Sequence, residues 1–342
     1  MAKQTTTKVI SQGICNFCKD EFDKAKMSQH LKHCKQRALA ITAEEAKAAK
    51  SKNAQKTKLF HIVVEGRYNP QYWMHLEVPA IDTFWDLDQF LRDAWLECCD
   101  HLSEFKVGRM SYSMEPDDFM FGDLLGEDEE QAEEDEEDES DDTIDEEEGP
   151  LAYVDPEFFD LIPADVVAKL RQFQTTEELL DYLREETQSK KMFDRDMSLP
   201  LEERRKNYLV RSMFSSLLQE LEQNDMDVPL EKGLKVGQKF THEYDFGSTT
   251  YLALRVVSER EGFIEDEESD NIEILASNNA PEMPCVVCGK PAKKVAPGYY
   301  FGIEEHAYCS AKCAKKNKEE FYYEEMLPVV NSPRVGVCAY TG

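Results

Sequence analysis

The sequence predicts an α+β protein: a central mixed sheet with packed helices, a helical insertion, and two small zinc-bound modules. Three observations carry this reading. Short apolar runs rich in Val, Ile, Phe and Tyr lie on both sides of a long stretch with helical periodicity. Two sets of four Cys/His side chains stand at metal-ligand spacing near the two ends. Between the first strands and the helical stretch, residues 127–148 hold 17 acids and no base.

In order along the chain, residues 1–37 form the first metal module. Residues 38–57 (ALAITAEEAKAAKSKNAQKT) have good helix propensity and little apolar face, so they read as a helical or frayed tether. Residues 58–126 open the α+β domain. KLFHIVVEG and WMHLEVP are strands, DTFWDLDQFLRDAWLECCDHL is an amphipathic helix with Asp82 as its N-cap, and HLSEFKVG and RMSYSM are two further strands. Residues 127–150 are the acidic insert, read as a solvated loop.

Residues 151–225 are a helical insertion. It contains PADVVAKLRQF, then TTEELLDYLREETQ capped by Thr175 or Thr176, then a long helix opened by Pro200. Residues 226–280 return to the domain with the strand–turn–strand pair GQKFTHEYDFG and TTYLALRVVSE, hinged at Gly247. IEILASNNAPE is a strand running into a linker. Residues 281–318 form the second metal module, and 319–342 an extended tail.

Composition narrows the function classes. A hydrophobic fraction of 41% with 10% aromatics is globular rather than disordered. No run of about 18 apolar residues occurs, and MAKQTTTKVISQG lacks the apolar stretch of a secretory signal, so a soluble, cytoplasmic protein without membrane association is expected. In a reducing compartment, paired cysteines favour zinc over disulfides. The formal charge is −30, yet it is unevenly placed: without 127–148 the balance is 53 acids against 40 bases, and residues 1–58 carry 13 Lys/Arg against 5 Asp/Glu. A polyanion partner for the amino-terminal segment is therefore compatible with the charge, and one spread over the whole body is not. The same asymmetry suggests an intramolecular contact between the acidic insert and the basic start.

The first module is Cys15-x2-Cys18-x11-His30-x3-Cys34. A tight turn lets Cys15 and Cys18 share one ion, and His30 and Cys34 stand four apart on a helix, a geometry that prefers Cys34 over a ligand role for His33. Phe22 and Met27 occupy the apolar slots. So small a fold needs the metal, which supplies about 10–16 kcal/mol in fingers of this kind. One finger reads only about three base pairs, and this helix offers Lys24, Lys26 and Gln29 but no arginine for guanine. A structural or protein-docking finger is the first reading and sequence-independent nucleic-acid contact the second.

The second module is Cys285-x2-Cys288-x20-Cys309-x3-Cys313. CVVCGK is a zinc knuckle, and YCSAKCAKK places the other pair at a helix start, where amide dipoles favour thiolates. YCSAKC resembles treble-clef modules of the MYND and TRASH kinds. Four thiolates close the shell, so both expected Zn2+ ions are structural. His306 reads as a surface or second-layer group beside them, with ligation the alternative. Cys98 and Cys99 read as helix residues, one packed and one partly exposed. Cys338 reads as a packed strand residue or as an exposed thiol with no base assignable.

NPQYWMHLEVP (Pro70, Trp73, Leu76, Val78, Pro79), HLSEF (His101, Leu102, Phe105) and FTHEYDFG (Tyr244, Asp245, Phe246, Gly247) resemble the plasmid pRiA4b ORF-three-like family of plasmids, insertion elements and prokaryotic genomes. ILASNNAPEMPCVVCG, YCSAKC and LPVVNSPRVGVCAYTG resemble its extended, zinc-containing branch. The likeness spans 58 to about 115 and 226 to about 277. It implies a compact α+β domain and brings no established activity. Where the family continues past YDFG with Asp, Trp and His, this chain has Ser248, Thr250 and Leu252; where Arg follows the early tryptophan, it has Met74.

These readings converge on a zinc-binding, non-enzymatic adaptor or regulatory protein that meets a protein or nucleic-acid partner, with no catalytic residue assigned. The first alternative is a nucleic-acid-binding protein of mobile elements using the basic start and Lys312, Lys315 and Lys316. The second is an enzyme with a pocket near His101 and Asp245.

Overall fold

A computed structural model describes residues 11–114, 151, 164–188, 200–264, 271–298, 303–318 and 322–342. The chain divides into two compact units, residues 1–114 with 225–342 and residues 115–224. The acidic run 127–148 and residues 1–10 of the basic start lie outside the described residues.

The first unit is built on an antiparallel pair at its centre. β3 (Gln55–Gly66) lies against β9 (Thr250–Ile264) over twelve residues, from Gln55 opposite Ile264 to Gly66 opposite Leu252. On one side follow β4 (Trp73–Pro79), β10 (Glu273–Asn278), β1 (Gln12–Cys15) and β2 (Glu21–Asp23); on the other come β8 (Lys239–Tyr244), β5 (Ser103–Val107) and β6 (Met110–Ser113). Each of these pairings is antiparallel. The short strand β7 (Gln223–Asp225) stands where the chain returns to this unit. The α+β class stands, with the large sheet at its centre.

Alternation explains the layer. Ile62, Val64, Met74, Leu76, Phe105, Phe240, Leu252 and Leu254 turn to one face and are buried with Phe84, Leu87, Leu91 and Trp95. At about 1.5–3 kcal/mol for each fully buried large apolar side chain, this cluster is the main stabiliser of the unit. The helix supplying the last four differs from expectation. Its cap is Thr83 rather than Asp82, because Thr83 and Asp86 exchange a reciprocal capping pair. The α-helix (α3, Phe84–Leu91) then gives way to a wider turn over Arg92–Leu96, where Glu97 N–H donates to the Arg92 carbonyl. Arg92 is buried and donates to Asp88, Glu97, the His101 carbonyl and Ser103, so the chain is drawn inward and residues 97–102 leave the helix.

The amino-terminal module is not a bead on a tether. β1 adds to the sheet through β10, with Gly13 opposite Asn278 and Cys15 opposite Ala276. A side chain at Gly13 would fall on the Ser277 carbonyl and the Trp73 ring, so glycine is what permits this approach. Trp73, fully buried, shares a core with Met27, Leu31, Leu275 and Ala276 and donates from Nε1 to Ser11 Oγ at 2.8 Å. The expected tether contains a second helix, α2 (Lys35–Ala48), anchored by charge. Arg37 pairs with Glu77 at 2.5 Å, Glu77 with Arg260 at 2.5 Å, and Arg260 with Glu44 at 2.9 Å. Residues 55–57, read above as the end of the tether, are already β3.

The β8–β9 connection turns on Asp245 rather than Gly247. Asp245 adopts φ 66°, and its Oδ1 accepts the Gly247 and Ser248 amides, an Asx turn that makes the left-handed conformation tolerable. Nor is the described part of the expected tail, 322–342, extended. Leu327–Pro328 pairs with Lys294–Val295, and beyond it a chain of tight turns packs Ser332, Arg334, Val335, Val337 and Tyr340 into the unit. Ser332 Oγ donates to the Trp95 carbonyl at 2.7 Å, and fully buried Arg334 donates to Asp245 at 2.7 Å. Burial of these groups is the reason the segment folds back.

The second unit contains helices Ala164–Leu170, Thr176–Gln188 and Leu201–Glu222, with Leu170, Leu179, Leu183, Phe214 and Leu217 at its core. Thr175 is the cap, its Oγ1 accepting from Glu178 N–H at 3.3 Å. Among the described residues no helix is long and apolar enough to cross a membrane.

Candidate metal centres

Three groups of Cys and His donors meet among the described residues, each with its four donor atoms within 4.8 Å of one another. Two contain the eight side chains the spacing singled out. With Zn–S near 2.3 Å and Zn–N near 2.05 Å, a tetrahedron has edges of about 3.8 Å between sulfurs and about 3.6 Å between sulfur and nitrogen. These edges are the measure of fit.

In the first centre, Cys15 ends β1 and Cys18 lies in the turn before β2, closed by Lys19 N–H donating to the Cys15 carbonyl, with Lys19 at φ 63°. His30 comes from α1 (Lys24–His33). Cys34 stands one step past it, in extended conformation between α1 and α2, so the last ligand sits at a break and not within a helix. Cys15 Sγ lies 3.9 Å from Cys34 Sγ, and Cys18 Sγ 3.4 Å from His30 Nε2. Phe22 stacks on the His30 ring at 3.7 Å and orients it. His33 is outside the group. Burial pushes the Cys18 thiol up to about 11, while at Cys34 burial is outweighed by the Arg37 and Gln36 amides, which bring that thiol down. The four side chains are packed too closely to carry several charges without a cation among them.

Two lysines of this finger are engaged in ion pairs. Lys24 reaches Glu65 at 2.8 Å and the Pro70 carbonyl, and Lys26 pairs with Asp23. Lys26 and Gln29 remain exposed.

In the second centre, Cys285 and Cys288 occupy a knuckle closed by Gly289 at φ 71°. Cys309 and Cys313 flank Ser310, the N-cap of the short helix Ala311–Lys316. The Cys288–Cys309, Cys309–Cys313 and Cys313–Cys288 sulfur distances are 3.5, 3.7 and 3.8 Å. Burial pushes Cys285 up, but the amides of Cys309, Val287 and Cys288 outweigh it and bring it down to about 6, as a thiolate ligand requires. His306 stands outside the four. Lys290, Lys312, Lys315 and Lys316 are exposed around this centre.

The third group was not anticipated. Cys98, Cys99 and His101 follow the turn after α3, and Cys338 arrives from the folded-back segment. Cys99 Sγ is 3.8 Å from Cys338 Sγ, and Cys338 Sγ is 3.5 Å from His101 Nε2. His101 is thus the neighbouring base that could not be assigned to Cys338; its contact is the main cause that lowers the Cys338 thiol to about 7. Cys338 is no strand residue: it sits in a turn at φ 52°. The separation of 237 residues between His101 and Cys338 hid the group. The available signal was the cysteine count, since seven of ten thiols belong to the first two centres and the three left over all fall here.

His101 Nε2 also lies 3.6 Å from Asp245 Oδ2. The nearby cavity, about 240 Å3, is lined by Arg67, Tyr68, Ser248, Tyr251, Pro333 and Val337 among others, and by neither His101 nor Asp245.

No family model matches the chain, and no curated protein matches it. Among solved structures, a protein of unknown function, MM3350 from Methanosarcina mazei Go1, is similar over 65% of this chain and 70% of that chain, at 11% identity and a TM-score of 0.29. So loose a likeness carries no argument.

Proposed function

We propose that this chain is a non-enzymatic, zinc-stabilised adaptor or regulatory protein of the plasmid pRiA4b ORF-three-like family, in which Zn2+ shapes binding surfaces and does no chemistry. The observation that carries the reading is the closed donor set of the first two centres. Each offers four protein ligands at tetrahedral spacing, which leaves no position for a water or substrate.

A Cys338–His101–Asp245 relay is the rival that an enzyme reading would need. Its geometry argues against it. Thiol and carboxylate approach the same ring atom, Nε2, whereas a relay uses one nitrogen for the nucleophile and the other for the orienting acid. Asp245 is moreover committed to Arg334, Ser248 and the turn amides.

A second reading has its own support. The exposed Lys290, Lys312, Lys315 and Lys316 beside the Cys285 centre suit a polyanion, whereas Lys24 of the finger is tied to Glu65. If nucleic acid is bound, the contact runs through Lys312, Lys315 and Lys316 and is independent of base sequence.

One experiment separates the readings: capture from native lysate with and without a zinc chelator, followed by nuclease. Protein partners that survive nuclease and disappear on chelation support the adaptor. Retention that nuclease abolishes, and that Lys312, Lys315 and Lys316 to Glu substitutions also abolish, replaces it with the second reading. Turnover of a substrate dependent on His101 sinks both.

A further inference from the structure

We infer that Cys98, Cys99, His101 and Cys338 hold a third zinc ion, which clasps the folded-back segment 331–340 to the end of α3. The inference is independent of the adaptor reading and rests on four observations.

The donors fit. The two measured edges, 3.8 Å between Cys99 and Cys338 and 3.5 Å between Cys338 and His101, match the tetrahedral values of about 3.8 and 3.6 Å as closely as those of the other centres do. A disulfide would bring Cys99 and Cys338 to about 2.05 Å, so the pair is gathered without being bonded.

The chemistry fits as well. Thiols are weak hydrogen-bond donors, so three of them with an imidazole gain little by meeting one another. A shared dication gives the meeting its reason. Fully buried Arg334 sends Nη2 to Cys98 Sγ at 3.3 Å, the second-layer support a metal-bound thiolate needs.

The shell is also closed against the nearest competitor. Both Asp245 oxygens are occupied, Oδ1 by two amides and Oδ2 by Ser248 Oγ and Arg334 at 2.7 Å each. The carboxylate therefore supports the site from outside. Finally, the ligands come from both ends of one mechanical connection: Ser332 binds the Trp95 carbonyl, Arg334 binds Asp245, and Cys338 closes on residues 98–101. Three cysteines and one histidine make this a structural site with no open position.

The test uses the full-length protein, purified under reducing conditions. Elemental analysis should return three zinc ions per chain, and Cys338→Ser should return two while retaining the far-ultraviolet circular dichroism of the parent. A wild-type measurement guards against a variant that fails to fold. Cys99 is exposed, so as a free thiol it would be alkylated at a rate that does not depend on chelator. In the zinc-bound protein, alkylation of Cys98, Cys99 and Cys338 should be slow and should accelerate at least tenfold when chelator is added. Two zinc ions in the wild type, chelator-insensitive alkylation at these three positions, or a Cys99–Cys338 disulfide recovered from reduced preparations each overturn the inference.

Discussion

Asp245→Asn isolates one charge. Asparagine accepts the left-handed backbone of φ 66° and keeps Oδ1 as acceptor for the Gly247 and Ser248 amides, so the turn survives. What changes is the partner of Arg334. That guanidinium is fully buried and donates to Asp245 at 2.7 Å, to Thr250 Oγ1 at 3.0 Å and to the Ser248 carbonyl at 3.3 Å. With the carboxylate gone, a buried cation keeps Thr250 Oγ1, the Ser248 carbonyl and Cys98 Sγ as acceptors and faces an amide. Breaking a buried pair by removing one partner costs about 3–5 kcal/mol, roughly a thousandfold in the folding equilibrium. The assay is urea denaturation at neutral pH with zinc in excess, paired with proteolysis of segment 331–342. Arg334→Met and the double variant complete a cycle whose coupling energy should reach about 2 kcal/mol or more. A loss below about 1 kcal/mol for Asp245→Asn, with no added cleavage, would mean that the pair contributes nothing beyond a surface bridge and that the segment is anchored elsewhere.

Three further outcomes follow from other parts of the fold. His61 and His75 are buried and bonded ring to ring at 2.8 Å; burial, the largest cause, lowers them to about 4 and about 3. Their folded values lie below the unfolded one near 6.5, so their stability contribution is intact above about pH 6.5 and is lost as pH falls toward 4, at up to about 1.4 kcal/mol per pH unit for each proton. The difference between wild type and His61→Phe/His75→Phe across that window isolates the effect, and equal slopes refute it. Gly13→Ala should unseat β1 from β10 while the finger keeps its ion: a cobalt-loaded sample retains its thiolate bands, but cleavage within residues 49–54 accelerates. Deleting residues 127–148 should raise retention on a polyanion column at low salt if that run screens the basic start; unchanged retention discards the contact.

What the sequence disclosed depended on distance along the chain. Cys15 through Cys34 and Cys285 through Cys313 announce themselves because their ligands recur within a few tens of residues, at intervals set by a knuckle and a helix turn. The two strands of the central pair were likewise visible, from the apolar run in KLFHIVVEG and the alternation in TTYLALRVV. Three features were hidden, each for a physical reason. Docking of the finger depends on Gly13 meeting Ser277, an edge pairing that no local pattern encodes. The early end of α3 depends on Arg92 finding acceptors that lie beyond the helix. The folded-back segment depends on Arg334, whose charge reads as surface until Asp245 comes to meet it across 89 residues.

The register of β3 against β9 has a consequence for biosynthesis. Residues 55–66 find their central neighbour only at 252–264, whereas helices Ala164–Leu170, Thr176–Gln188 and Leu201–Glu222 share a core of their own. During translation the inserted helical unit can collapse as soon as it emerges, while the earlier strands wait with one edge unsatisfied. Nascent β3 and β4 are therefore the stretch most in need of a chaperone, and slowing the ribosome after residue 224 prolongs that exposure.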